Sequence, residues 1–346
     1  MNIVEEIRSC IAGQIPKMLP VLPSCHVFNP RVFGISYERL VTDGEILAQC
    51  EIAMVKEFDF DWAFFPMDSA VALEPLGVEA GPKQGGKGTI PWTPATELPA
   101  TERTLRTLTM PDPHSDGRLP LRLQALSRAR AEFGDSKCIT GFMIAPFSSV
   151  CYLYGAASAL MLLLDDPKLF LRTVEFFVNY QIADGLAQIE AGAHAILIAD
   201  LFAASNFVSP VDFERFSLPS LKKLIRVFNQ HETIVFYHPN EHLVSHLEKM
   251  SAVTTAGGSA LTVGTSGNAI SAKQALGRKI CLMGSFDPVS ILRDASSNVI
   301  AQKTKELIDE AGRLGGFMIY SGGTVAVDTP EENVRILVDT AREYWR

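Results

Sequence analysis

Residues 166–200 read DPKLFLRTVEFFVNYQIADGLAQIEAGAHAILIAD, and this stretch decides the fold. Asp166 followed by Pro167 is a helix start: the aspartate takes otherwise unpaired amides, and proline fits the first turn. Phe170, Val174 and Phe177 then recur at helical spacing. Gly192 ends the helix, and Ala195-Ile196-Leu197-Ile198 is a short buried strand ending at Asp200.

The same unit repeats on the C-terminal side. A helix over 213–228 leads to a strand over 233–237 that ends at His238. A helix after Glu241 leads to a strand over 260–263, and a short helix over 272–276 leads to a strand over 280–283 ending at Gly284. A helix over 301–312 leads to a strand over 317–320 ending at Ser321, and a last helix starts near Pro330. On the N-terminal side, 139–144, 62–66 and 19–24 read as strands. Such alternation implies parallel strands joined by helical crossovers. The expected architecture is one closed (β/α)8 barrel over residues 1–346, with an open doubly wound sheet as the competing arrangement. Segment 79–120, rich in Gly, Pro, Thr and Arg around Gly85-Gly86-Lys87-Gly88, reads as a hairpin and loop leaving the barrel, either a lid over its mouth or surface decoration.

Composition narrows the function. Hydrophobic residues make up 47% of the chain and charged residues 20%, as in a globular enzyme with a large core. The net charge of -8 and the absence of a Lys/Arg run exclude a nucleic-acid partner. The six cysteines form no CxxC pair, so neither a disulfide framework nor a zinc ribbon is expected. Acidic Glu5 and Glu6 stand where a signal peptide is basic, and the most apolar run, 156–164, is too short for a membrane span. These features predict a cytoplasmic protein with no membrane partner.

In such a barrel the site lies where the strands end. That rule picks out His26, Asp68, Phe147, Asp200, His238, Gly264, Ser285 and Ser321. His238, within Tyr-His-Pro-Asn-Glu-His, is placed to bind metal, to act as acid or base, or simply to cap its strand. Asp68 follows an apolar strand, which suits a partly desolvated base, a cation holder or a helix cap.

Several segments together resemble the uroporphyrinogen decarboxylase superfamily. They are Gly141-Phe142-Met143-Ile144-Ala145-Pro146-Phe147 with Tyr154-Gly155, Ala191-Gly192-Ala193 through Val208-Ser209-Pro210, Met283-Gly284-Ser285-Phe286-Asp287-Pro288, and Ser321-Gly322-Gly323 with Asp328-Thr329-Pro330. The resemblance covers nearly the whole chain and implies the same barrel. On the decarboxylase branch, Asp68 matches the pyrrole-binding aspartate and Tyr152 a site tyrosine. The Arg-x-x-x-Arg stretch of that branch is missing from 20–31, where Arg31 stands alone, and Gly323 replaces a final-block histidine.

The methylcobamide:coenzyme M methyltransferases are more similar at Ala145-Pro146-Phe147 and at His238. That branch holds zinc with His-x-Cys and a later Cys; here His238 remains, while Asn240 and Gly323 occupy the cysteine positions. The resemblance therefore implies a corrinoid-dependent methyltransferase without the usual zinc set. Its cobalamin would come as free cofactor or on a corrinoid protein, and its substrate would be a small methylated molecule such as an aryl methyl ether, a methyl halide, an N-methyl compound or a folate. The resemblance gives His238, Asn240 and Asp68 the orienting or proton-transfer roles. Tyr237 and Phe147 are then expected as apolar walls, and the strand-end residues Asp200, His26, Ser285 and Ser321, with Tyr152 and Gly323, as further substrate contacts. A porphyrinogen decarboxylase is the alternative.

Overall fold

The computed structural model describes residues 2–82, 92–204, 206–239, 253, 260–262, 269–277, 280–284 and 286–346. The strands among them are β1 Val21–Ser24, β2 Trp62–Phe64, β3 Ala80–Pro82, β4 Trp92–Pro94, β5 Cys138–Ile144, β6 Ala195–Ala199, β7 Ile234–His238, β8 Ala260–Thr262, β9 Cys281–Gly284 and β10 Phe317–Thr324. Eight pair in parallel in the order β1-β10-β9-β8-β7-β6-β5-β2, while β3 and β4 form a separate antiparallel pair.

The two ends of that order meet. The Asp61 N–H donates to Val21 O at 3.0 Å, and the Val21 N–H donates to the Asp61 carboxylate at 2.7 Å. The Trp62 indole donates to Pro23 O at 2.8 Å. The chain is a (β/α)8 barrel, and the open sheet is set aside.

Local chemistry sets the elements. Asp166 accepts from the Leu169 N–H at 3.0 Å and starts the helix Pro167–Glu190. Gly192, at φ +106°, turns the chain out of it, a conformation that favours glycine. Asp43 caps the helix Gly44–Phe58 by accepting from the amides of Glu45 and Ile46. The strands are short and almost wholly buried, as parallel strands covered by helices must be.

The barrel interior is filled by aromatic rings. Trp62 stacks on Phe64 at 4.6 Å and meets Phe236 and Tyr320 edge-on, each at 6.1 Å. Toward the C-terminal ends of the strands this plug stops and a cavity opens. Register aligns its wall: Ile144, Ala199 and His238 are consecutive partners across β5, β6 and β7.

The largest strand-boundary difference from expectation is in β10. β10 continues past Tyr320 through Ser321-Gly322-Gly323 to Thr324. It does so because β1 keeps pairing with it after a register shift, with Ser24 opposite Thr324. The 79–120 excursion contains the β3–β4 hairpin, whereas Gly85-Gly86-Lys87-Gly88 lies outside the described residues, as does the helix expected after Glu241. Among the described residues no single helix is long and apolar enough to cross a membrane.

Candidate active site

The cavity holds about 710 Å³, within the range of small-molecule sites. His238 and Asp68 both line it, as do His26, Tyr152 and Gly323. Thr93, Pro94 and Glu97, from β4 and the residues after it, form one side, so the excursion reaches the mouth.

His238 is nearly buried, and its Nδ1 lies 2.6 Å from Thr262 Oγ1 on the neighbouring strand. Its ring meets Tyr320 edge-on at 5.8 Å. These contacts fix the orientation of the imidazole from two sides.

Asp68 is held differently. Arg118 Nη1 donates to its Oδ2 at 2.6 Å and Nη2 to its Oδ1 at 3.1 Å. The amides of Ala70 and Val71 donate to Oδ1 at 2.9 Å each. Glu74 grips the far side of Arg118 at 2.9 Å. The Asp68 carboxylate is shut off from solvent and already surrounded by donors. It anchors the wall of the cavity and is not presented as an acid or base.

His26 lies in the wall with its Nδ1 3.3 Å from Ser24 Oγ. Burial lowers its pKa to about 4, so the ring is neutral near pH 7. Tyr152 hydrogen-bonds Ser69, and burial pushes its phenol up to about 12, keeping it a proton donor. Its ring meets Phe202 at 5.1 Å.

Four expected contacts lie behind the wall. Side chains alternate along a strand, so with His238 facing the cavity Tyr237 faces the surrounding helices. There its hydroxyl donates to Asp200 Oδ2 at 3.2 Å. Asp200 also accepts from Ser148 at 2.6 Å and Ser217 at 2.7 Å, and burial raises its pKa. This is a packing network, not a substrate contact. Phe147 packs on Phe170 at 5.0 Å. Ser321 Oγ accepts from the Ser24 amide at 2.9 Å and donates to Gly323 O, tying β1 to β10. Asn240, Ser285 and Gly264 lie outside the described residues.

Sequence reading missed Arg118, Tyr320 and Glu51. Arg118 is 50 residues from Asp68, and no local pattern links them. Glu51 carried a signal: it interrupts the apolar face Leu47, Met54 and Phe58 of its helix.

Among the described residues the ligand set for a zinc site is incomplete. Gly323 has no ligand atom, and no group of three or more His, Cys, Asp or Glu able to hold a metal occurs among the described residues. Cys151, the one cysteine among the described wall residues, has its thiol pushed well up by burial.

The family model for uroporphyrinogen decarboxylase matches residues 5–344. The chain belongs to the uroporphyrinogen decarboxylase family. Uroporphyrinogen decarboxylase of Trichlorobacter lovleyi is 28% identical over 312 residues, covering 88% of this chain and 86% of that protein. The Geobacter metallireducens enzyme is 27% identical over 301 residues, covering 85% and 83%. A solved methyltransferase from Methanosarcina mazei superposes with a TM-score of 0.87 at 21% identity, covering 100% of both chains, and so shares the fold.

The acidic and basic residues among the described wall residues are His26, Asp68, Glu97 and His238, with no lysine or arginine. Arg31 is turned away: it donates to Thr329 O at 2.9 Å and lies over the Phe28 ring at 5.1 Å.

Proposed function

We propose that this member of the family is a methyltransferase that moves a methyl group between a small methylated substrate and a corrinoid, either cobalamin or a corrinoid protein. The observation that carries this reading is the absence of lysine and arginine from the described wall. A tetrapyrrole with many carboxylates needs cationic partners, and this wall offers two histidines, the Glu97 carboxylate, the Arg118-paired Asp68 and apolar surface. The M. mazei neighbour, itself a methyltransferase, supports the same reading.

The apolar side of the mouth is where the corrinoid would lie. Pro94 of β4, with Ala156 at a helix start and Leu201 and Phe202 in the loop beyond β6, gives it a surface for a corrin face. When bound, the corrinoid supplies the centre that gives or takes the methyl group. The chain positions the substrate. His238, fixed by Thr262, orients its polar end; Phe202 and Tyr152 pack its apolar part; the β3–β4 hairpin screens it from water.

The test is a cobalamin titration followed by ultraviolet-visible spectroscopy with a panel of methyl ethers, methyl halides, N-methyl compounds and methylfolates. Methyl transfer from at least one class, without loss of carboxyl groups from uroporphyrinogen, is expected. Decarboxylation of the porphyrinogen with no methyl transfer overturns the reading in favour of the alternative that the curated relatives' names support.

A further inference from the structure

Beside the main cavity is a second, small one of about 10 Å³, lined by His26, Asn29, Glu51, Phe64 and Met67 among others. Its size suits one water molecule. His26, Phe64, Pro66 and Met67 line both spaces, so the imidazole stands in the partition.

The chamber is polar where it matters. Glu51 accepts from the Phe64 amide at 2.9 Å and from Asn29 Nδ2. Asn29 Oδ1 is buried and has no hydrogen-bond partner. A water there would donate to Asn29 Oδ1 and bridge to His26, meeting the usual need for two or more polar partners. From His26 the chain of contacts continues to Ser24 Oγ and then to the Tyr320 hydroxyl, which line the main cavity beside His238.

We propose that Glu51, a chamber water and His26 form a proton relay that opens on the main cavity through Ser24 and Tyr320. His26 hands the proton on to Ser24 and Tyr320 at the cavity, and Glu51 is a positioning residue that acts through His26 as the proton store. The proposal rests on the cavity being the site of methyl transfer. When a methyl group leaves a heteroatom, the heteroatom keeps the bonding pair and takes one proton. The methyl passes without that pair to the corrinoid nucleophile. The proton reaches the heteroatom from the Tyr320 hydroxyl, which takes one from Ser24 as Ser24 takes the N–H proton of neutral His26. In the same shift the water protonates the other ring nitrogen and takes a proton from the Glu51 carboxyl, so that only Glu51 changes charge and becomes a carboxylate. Nothing further is oxidised or reduced, and the reverse transfer runs the proton back.

Two properties suit Glu51 to this task. Burial raises its pKa to about 7, so both forms are populated near neutrality. The ionisable groups around it are the thiols of Cys25 and Cys50, both pushed up by burial, and the neutral His26. Among the described residues no lysine or arginine pairs with Glu51 to pin it as a carboxylate.

The test combines infrared titration with pH–rate profiles for the wild type, Glu51→Gln and His26→Gln. From about pH 5 to about pH 9 the wild type is expected to lose a protonated carboxyl band through neutrality. Glu51→Gln lacks that band, and His26→Gln displaces its midpoint. Methyl transfer by Glu51→Gln is expected to lose the neutral inflection and at least about tenfold in kcat, with KM little changed. A Glu51 ionised at every pH, a midpoint unmoved by His26→Gln, or an unchanged Glu51→Gln pH profile overturns the relay. The His26→Gln arm reads the native carboxyl, so it stands even if Glu51→Gln fails to fold. A titration as expected with no methyl transfer from the wild type overturns the methyltransferase reading, and with it the relay's role in that transfer; a relay failure instead shows as transfer with an unmoved profile.

Discussion

At the residue scale, Glu51 and His238 ask for different tests. Glu51 has its pKa raised from 4.5 to about 7, by burial before anything else. The native state therefore binds the proton more tightly than the unfolded chain. Its contribution to stability is whole below about pH 4.5 and is lost as pH rises through about 7. At about 1.4 kcal/mol per unit, the loss is roughly 3 kcal/mol. Glu51→Gln should therefore gain stability over the wild type between about pH 4 and about pH 8. Denaturant melts at the two pH values check this, and a difference that does not grow with pH refutes it. His238 is judged by rate. His238→Ala should lower methyl transfer by about a hundredfold while costing no more than about 1–3 kcal/mol of unfolding free energy, so that the protein stays folded. Loss of transfer together with loss of folding would make the histidine a packing residue.

At the element scale, the alternation within β7 divides the roles of neighbours. His238 lines the cavity, while Tyr237 donates to the buried Asp200 behind it. Tyr237→Phe removes one of three hydroxyl donors to Asp200 and should cost about 1–3 kcal/mol, with KM for the methylated substrate unchanged. A raised KM at unchanged stability would return Tyr237 to the cavity wall. That neighbouring pair also shows where sequence reading stops. Asp166-Pro167, the spacing of Phe170, Val174 and Phe177, and the apolar run ending at Ala199 are local signals, and each element came out within a few residues. Which of two adjacent strand-end residues faces inward is set by barrel closure, which no window of sequence contains. Asp68 repeats the lesson: its apolar approach was visible, but the arginine that holds it comes from position 118.

Across the whole molecule, closure of the barrel makes one cavity from residues as far apart as His26 and Gly323. The order of strand and helix units was legible because each unit buries its own apolar face. The electrical character of the mouth was not, because it depends on which long side chains turn inward. Arg31 illustrates this: it sits beside β1 yet spends its guanidinium on Thr329 O and the Phe28 ring. The result is a described wall with carboxylates and histidines but no lysine or arginine, a poor host for a polyanion. Substrate affinity should then be nearly independent of ionic strength, changing less than about twofold while the screening length falls from about 30 Å to about 3 Å. A porphyrinogen held by paired arginines would weaken much more over the same range, because each charge contact is screened. Isothermal titration at low and high salt separates the two, and the steep response would place cations in the cavity beyond the wall residues described.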